Sequence, residues 1–223
     1  MIFLYDNLTA TVIGATVLLV LLVSMQRLTE VQIERTATYM VKKQANEFAT
    51  WMEEDLLKMH ENVSEEEHPV PFSDPEYDSE GLLTTDFIFR QDSTDYSVNP
   101  PESREIHVRY RLEQVGQREL SGEMIDVYQL SRYTCDATSG DNCNPNSSSH
   151  WTLDGESTDL LSYFRVDMLD RDAQPVANPA TTEANNPGTI RNSRIRFAMV
   201  TPFETERQTL REVYYGATLI LEL

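Results

Sequence analysis

Residues Leu8–Met25 read LTATVIGATVLLVLLVSM, and no formal charge occurs between Asn7 and Gln26. A bilayer core of about 30 Å is crossed by roughly 20 helical residues, whereas the apolar core of a signal peptide is usually ~7 to 15 residues long. The stretch therefore predicts a membrane-spanning helix. No small-x-small cleavage site follows it, so we expect it to be retained in the mature protein. The alternative is a buried helix of a soluble core, but such helices usually carry a polar stripe.

The helical pattern continues beyond this apolar stretch. No Pro or Gly occurs from Met25 until Pro69. Apolar residues recur there at spacings of three or four, which places them on one face of a helix. They are Val41, Ala45, Phe48, Met52, Leu56, Met59 and Val63. The sequence thus predicts one helix from about Leu8 to about Glu61, whose second half packs on the rest of the chain.

The chain then changes character twice. Residues 53–86 hold twelve acids and prolines at 69, 71 and 75, which is typical of a solvated connector. A metal site is the alternative, but no ligand spacing such as D-x-D-x-D-G fixes one. Beyond this region the apolar period becomes two, which predicts strands. Ile106, Val108 and Tyr110, for example, alternate with charged neighbours.

These patterns predict an α+β fold, with the long helix packed on a mostly antiparallel β-sheet head. We expect four segments: a transmembrane or filament-core helix (1–26), its amphipathic continuation (27–63), an acidic connector (64–86) and a β-rich head (87–223). The head is predicted to have five or six strands, at 87–89, 106–112, 124–130, 161–168, 195–200 and 213–221. We place a hairpin loop at 116–122 and an exposed loop at 170–192.

Two cysteines, Cys135 and Cys143, bracket the turn-forming sequence DATSGDN. A pair that closes such a short loop, in a chain with a membrane segment, indicates a disulfide formed outside the cytoplasm. Two free thiols are the alternative. A zinc site with His150 as third ligand is less favoured, because no fourth ligand stands at a usual spacing.

Composition and motifs argue against several functions. With 37 acidic and 18 basic residues the net charge is −19, whereas nucleic-acid binding needs clustered Lys and Arg. No P-loop, nucleophile elbow, zincin or dinucleotide-binding motif is present, and none of the four histidines has a nucleophile in a catalytic pattern. We therefore expect no enzyme and no cofactor. Asp167, Asp170 and Asp172 are weak candidates for calcium, and a solvated turn is the favoured interpretation.

A charged residue, Asp6, interrupts the apolar start MIFLYDNL, just ahead of the Val- and Leu-rich span. This layout, followed by an amphipathic helix and a β head with a cysteine loop, resembles the type IV pilins and type II secretion pseudopilins, particularly their larger-headed minor members. The resemblance implies that the acid pairs with the terminal amine of a neighbouring subunit while the apolar helices pack into a filament core. A carboxylate at the edge of an apolar bundle needs such a cation. Ala10 and Gly14, four residues apart, would permit close helix approach.

We therefore expect a pilin-like structural subunit of a filament or pseudopilus. Its partners would be other copies or related subunits, an inner-membrane assembly platform and membrane lipid, and not nucleic acid. The first alternative is a single-pass protein whose extracytoplasmic domain binds a partner without polymerising, and the second is a membrane-tethered enzyme. Basic residues on the C-terminal side of the span, such as Arg27 and Arg35, would place the head in the cytoplasm by the positive-inside rule. The cysteine pair and the resemblance place it outside, as we expect.

Overall fold

The structure is a computed structural model that describes residues 2–59, 72–95, 102–120, 123–137, 143, 150–201 and 212–220. Within these ranges the side chains of 2–6, 92–95, 102–103 and 120 are not described. The elements in chain order are α1 (Ile2–Leu57), β1 (Phe87–Asp95), β2 (Glu102–Leu120), β3 (Glu123–Asp136), β4 (Thr152–Glu156), β5 (Leu161–Leu169), α2 (Pro179–Asn185), β6 (Asn192–Val200) and β7 (Glu212–Ile220). The predicted α+β class, a long apolar N-terminal helix plus an antiparallel sheet, is confirmed.

Helix α1 has 56 residues, which corresponds to a length of about 84 Å at 1.5 Å per residue. It ends at Leu57, earlier than the predicted end near Glu61. The last turn tightens, with the Met59 amide donating to the Leu56 carbonyl at 3.2 Å. Met59 then forms an isolated antiparallel bridge with Gln91 of β1. The pairing of Met59 with the sheet thus follows directly on the end of α1, although the local sequence has no helix breaker.

All described strand pairs are antiparallel, in the order β1-β2-β3-β5-β6-β7, and β4 pairs with the end of β3. The sheet is weakest between β3 and β5, where the register holds one pair, Tyr128 with Leu161. Ser157 reinforces this seam. Its amide donates to the Leu130 carbonyl and its hydroxyl accepts from the Leu130 amide, both at 2.8 Å.

The second half of α1 lies across this seam and contacts both parts of the sheet. Trp51 packs edge-to-face on Tyr110 of β2, with ring centroids 5.9 Å apart. Phe48 packs in the same way on Phe164 of β5 at 6.2 Å and on Phe197 of β6 at 4.8 Å. The helix therefore joins the β1–β4 part of the sheet to the β5–β7 part through one aromatic core.

The described part of the predicted acidic connector packs on the sheet through its apolar side chains, while its acids Glu76, Asp78 and Glu80 remain exposed. Phe72 and Leu83 belong to the main core. The Leu83 amide donates to the Phe164 carbonyl at 3.2 Å, and the Tyr77 hydroxyl donates to the Val166 carbonyl. Tyr77 and Leu83 therefore contact an edge of β5, while Phe72 forms an isolated bridge with Phe89 of β1.

The predicted exposed loop at 170–192 contains a helix, α2, with Pro179 in its first turn. Its N-terminal groups are satisfied from far along the chain: Asp74 accepts from the Ala180 amide at 2.6 Å and from the Thr181 hydroxyl at 2.9 Å. Glu183 is buried and accepts from the Ile190 amide at 2.8 Å. These hydrogen bonds, long-range from Asp74 and local from Glu183, hold a segment whose composition is typical of a loop in one structure.

The structure also shortens one predicted loop and adds a strand that the sequence did not predict. The hairpin loop placed at 116–122 is shorter, because β2 runs to Leu120 and β3 begins at Glu123, with a register shift between Gln114 and Gly116. Strand β4 (Thr152–Glu156) was not predicted, since its alternation of apolar and polar residues is weak. It pairs with residues 131–134 of β3.

Candidate functional site

The first half of α1 is an exposed apolar surface. The large apolar side chains between Leu8 and Met25 are all exposed. The exposed fraction of Leu22, for example, is 64%. The helix is long and apolar enough to cross a membrane, and none of its most apolar 18-residue window is buried within the protein. Each such side chain gains about 1.5–3 kcal/mol when it leaves water. This surface therefore requires an apolar environment outside the protomer.

The hydroxyl groups in this surface are compatible with an apolar environment. Thr11 donates to the Asn7 carbonyl at 2.6 Å, and Ser24 donates to the Val20 carbonyl at 2.8 Å. Thr16 likewise donates to the Val12 carbonyl at 2.6 Å. A hydroxyl that is bonded one turn back along its own helix is compatible with lipid or a helix–helix contact, because no donor is left unpaired.

The predicted assembly residues lie at the start of this surface. Asp6 is part of α1, but its side chain lies outside the described ones. Ala10 is exposed, and a Cβ added at Gly14 would meet nothing within 4 Å. A neighbouring helix could therefore approach both small residues closely.

The second half of α1 presents its apolar face to the sheet instead. Six of the seven residues predicted for helix-to-head packing are buried in the main core: Val41, Ala45, Phe48, Met52, Leu56 and Met59. The seventh, Val63, lies outside the described residues. Exposed charges occupy the opposite side of this half, such as Lys43 and Glu47, which form an ion pair at 3.6 Å.

A buried ionic cluster fastens this half of the helix to the sheet. Asp55 of α1 accepts from Arg132 Nε of β3 at 2.6 Å and from Tyr110 Oη of β2 at 2.5 Å. Burial, reinforced by the Asp55 charge, raises the pKa of Tyr110, which therefore remains a neutral donor. Burial alone would lower the pKa of Arg132, but the hydrogen bond and charge of Asp55 outweigh it and raise that pKa. The sequence analysis missed this cluster, because its members are 55 and 77 residues apart.

The structure joins Cys135, at the end of β3, to Cys143 in a disulfide with a Cα–Cα distance of 5.9 Å. The sequence left two free thiols and a zinc site as alternatives. In the structure this pair forms a disulfide instead. His150, the suggested third zinc ligand, lies nearby in a pocket that Cys135 also lines.

The aspartates considered for calcium have other roles. Asp167 is 3% exposed and is paired with three guanidinium groups: Arg165 at 2.6 Å, Arg194 at 3.2 Å and Arg196 at 2.7 Å. Burial alone would raise the pKa of Asp167, but the hydrogen bonds and charges of Arg165 and Arg196 outweigh it and hold that pKa below its ordinary value.

Asp170 instead shapes a turn, in which its carboxylate accepts from the amides of Asp172 and Gln174 at 2.9 and 2.8 Å. In the part of the chain that the structure describes, no three His, Cys, Asp or Glu side chains group as a metal site. The calcium hypothesis for Asp167, Asp170 and Asp172 therefore gains no support.

Comparison with known proteins returned no matching family model, no similar curated protein and no similar solved structure. The functional argument therefore depends on the molecule's own geometry. That geometry combines a wholly exposed apolar half-helix with a half-helix locked into a β head, an architecture compatible with a pilin-like subunit.

Proposed function

We propose that this protein is a pilin-like structural subunit, anchored in a membrane by the first half of α1 and assembled with other copies through that same surface. The head would be displayed outside the cytoplasm. The observation that carries the proposal is the contrast along one helix: Leu22 is 64% exposed, whereas Leu56 is fully buried against the sheet.

The rigid connection between the two halves supports a mechanical role. A simple anchor needs only an apolar span, and a flexible link to its domain would suffice. Here α1 runs unbroken from the span into the core of the head, and Asp55 ties it to two strands. Packing of the exposed halves would therefore set the position of every head. The disulfide at Cys135 supports a head in an oxidising compartment.

Replacement of Asp6 tests the proposal. In a filament core, Asp6→Ala leaves the positive group of a neighbour unpaired, so we expect incorporation into filaments or membrane oligomers to fall by about tenfold or more. The matched control is Asn7→Ala, which removes a neutral side chain at the next position and should assemble normally. Incorporation is measured by quantifying the protein in sheared or detergent-resistant assemblies, and the head's fold by tryptophan fluorescence.

The alternative function, a single-pass domain that binds a partner without polymerising, predicts a different result. Both variants would then behave like the parent protein, which would remain monomeric in the membrane. Mass spectrometry of the native N-terminus adds an independent measurement. An N-methylated terminus within the first few residues supports the pilin-like proposal, and an intact Met1 on a membrane-bound monomer supports the alternative.

A further inference from the structure

Strand β7 forms one edge of the sheet. It lies last in the strand order, and among the residues that the structure describes it pairs with β6 alone. Backbone N–H and C=O groups of an antiparallel strand point alternately to its two sides. Every second residue of β7 therefore presents a donor and an acceptor away from β6. The described backbone hydrogen bonds and isolated bridges include none to this row of groups.

The other edges of the sheet are protected. On β1, Met59 and Phe72 form isolated bridges, and the Ser73 amide donates to the Ile88 carbonyl at 2.7 Å. The short edge strand β4 has five residues, two of them acidic. Coverage by another part of the chain, short length and charge are the usual means by which proteins keep other chains from pairing with an edge strand.

The sequence of β7 has almost none of these protections. The strand EVYYGATLI contains no Pro and no basic residue, and its only charge is Glu212 at the first position. Its nine residues pair with β6 without a register shift, whereas the β2–β3, β3–β4 and β5–β6 pairings each contain one. A long, regular and nearly uncharged edge is a template for another extended chain.

The side chains of β7 indicate what such a chain would carry. Val213, Tyr215 and Leu219 pack against the main core but are only partly buried. On the opposite face, Tyr214 and Ile220 are 73% and 74% exposed. An added strand with apolar residues at every second position would extend the core beyond β7. The net charge of −19 favours basic over acidic residues at the other positions of that strand.

A second copy of β7 does not suit this edge in the antiparallel geometry that the sheet uses. Antiparallel pairing of two identical strands places a two-fold axis perpendicular to the sheet. Because α1 packs on the face of the sheet, that axis reverses its direction in the second copy. The two exposed half-helices would then point in opposite directions and could not enter one membrane from the same side. This geometry favours a segment of a different protein.

We propose that β7 adds a strand from a partner protein. The partner supplies an extended segment with apolar residues at every second position and basic residues between them, and this segment binds antiparallel to the edge through its backbone. The interface lies on the head, so the inference does not depend on whether the protein polymerises. Its choice of partner depends on the membrane anchor, which both candidate functions share.

A labelled peptide with the sequence of β6, NSRIRFAMV, is the probe, because it has this pattern and the same strand pairs with β7 from the other side. We expect saturable binding to the full-length protein in detergent, measured by fluorescence anisotropy. Two further peptides carry N-methyl groups on alternate sets of backbone nitrogens. Only one set faces β7, so one of these peptides should bind about tenfold or more weakly, and the other should bind like the unmodified peptide.

Lysine substitutions test the edge from the side of the protein. Tyr214→Lys and Ile220→Lys change exposed side chains, so the head should keep its melting temperature. Each should weaken peptide binding by about fivefold or more, because the new charge repels the arginines of the peptide and protects the edge. Leu153→Lys is the matched control. Leu153 is an exposed apolar residue of β4, a different edge strand, and its replacement should leave binding unchanged.

Three results would overturn the proposal: no saturable binding of the unmodified peptide, equal affinities of the two methylated peptides, or unchanged binding in both lysine variants of β7. Thr218→Cys tests a second copy as the occupant, because Thr218 is exposed on the same strand. Under mild oxidation in membranes the proposal predicts that this variant stays unlinked. Disulfide-linked dimers as the main product would place a second copy at the edge and would also overturn the proposal.

Discussion

The two halves of α1 are built from similar apolar residues but differ in whether the protomer itself buries them. From Leu8 to Met25 the helix is apolar on every side, and the protomer buries none of that surface. From Val41 to Leu56 the buried apolar residues form one stripe, which the sheet covers, while Lys43 and Glu47 face water. The pattern around the helix, rather than its hydrophobic content, thus determines where each half is buried. An all-round apolar half can be satisfied only by lipid or by other helices.

The largest expected difference between the halves comes from the buried ionic cluster. Arg132→Ala leaves the buried carboxylate of Asp55 without its guanidinium partner, so we expect the free energy of unfolding to fall by about 3–5 kcal/mol. Denaturant unfolding, followed by the fluorescence of Trp51 and Trp151, measures it. The control is Lys43→Ala, which breaks a solvent-exposed pair on the same helix and should cost at most about 0.5 kcal/mol. Equal effects of the two variants would contradict the cluster's role.

A matched pair of leucines tests the contrast itself. Leu56→Ala should cost about 2–5 kcal/mol in the free energy of unfolding of the head, because the side chain is fully buried and leaves a cavity. Leu22→Ala should change that free energy by less than about 0.5 kcal/mol. Both are measured by the same denaturant titration in detergent. A loss of head stability in Leu22→Ala would show that the first half packs on the head, against our account.

A smaller effect is expected where Glu53 of α1 accepts from the Tyr215 hydroxyl of β7. This hydrogen bond, together with burial, raises the pKa of Tyr215 to about 12, above its ordinary value of 10.0. The folded state therefore keeps a proton that the unfolded state releases, so this contribution is fully present below pH 10 and is lost as the pH rises from 10 toward 12. Tyr215→Phe removes it. The variant should lose stability less steeply than the parent above pH 10, as measured by urea unfolding at pH 9 to 11.

The helix was predictable because its signals are local. The spacing of Val41, Phe48 and Met52 identifies the buried face, and their burial follows from the period alone. The end of α1 was not predictable, because it depends on the pairing of Met59 with Gln91. Local helix propensity carries no information about a partner so far along the chain.

The elements that sequence analysis missed depend on distant partners. Helix α2 takes its N-terminal hydrogen bonds from Asp74, more than 100 residues away. Asp167 was expected in a solvated turn, with calcium as a weak alternative, but its carboxylate is buried and arginines from β5 and β6 surround it. The Asp55–Arg132 pair has no local signature either. Such features arise when strands and helix meet.

Disulfide cross-linking through Gly14→Cys tests the central claim most directly. A Cβ at this position meets nothing in the protomer, and neither described cysteine is free, so any new disulfide reports contact between copies. Under mild oxidation in intact membranes the account predicts that Gly14→Cys gives linked dimers as its main product. It also predicts that adding Asp6→Ala suppresses them. A protein that stays monomeric with Gly14→Cys, or that dimerises equally with and without Asp6, would contradict the claim that the apolar half of α1 is shared between copies.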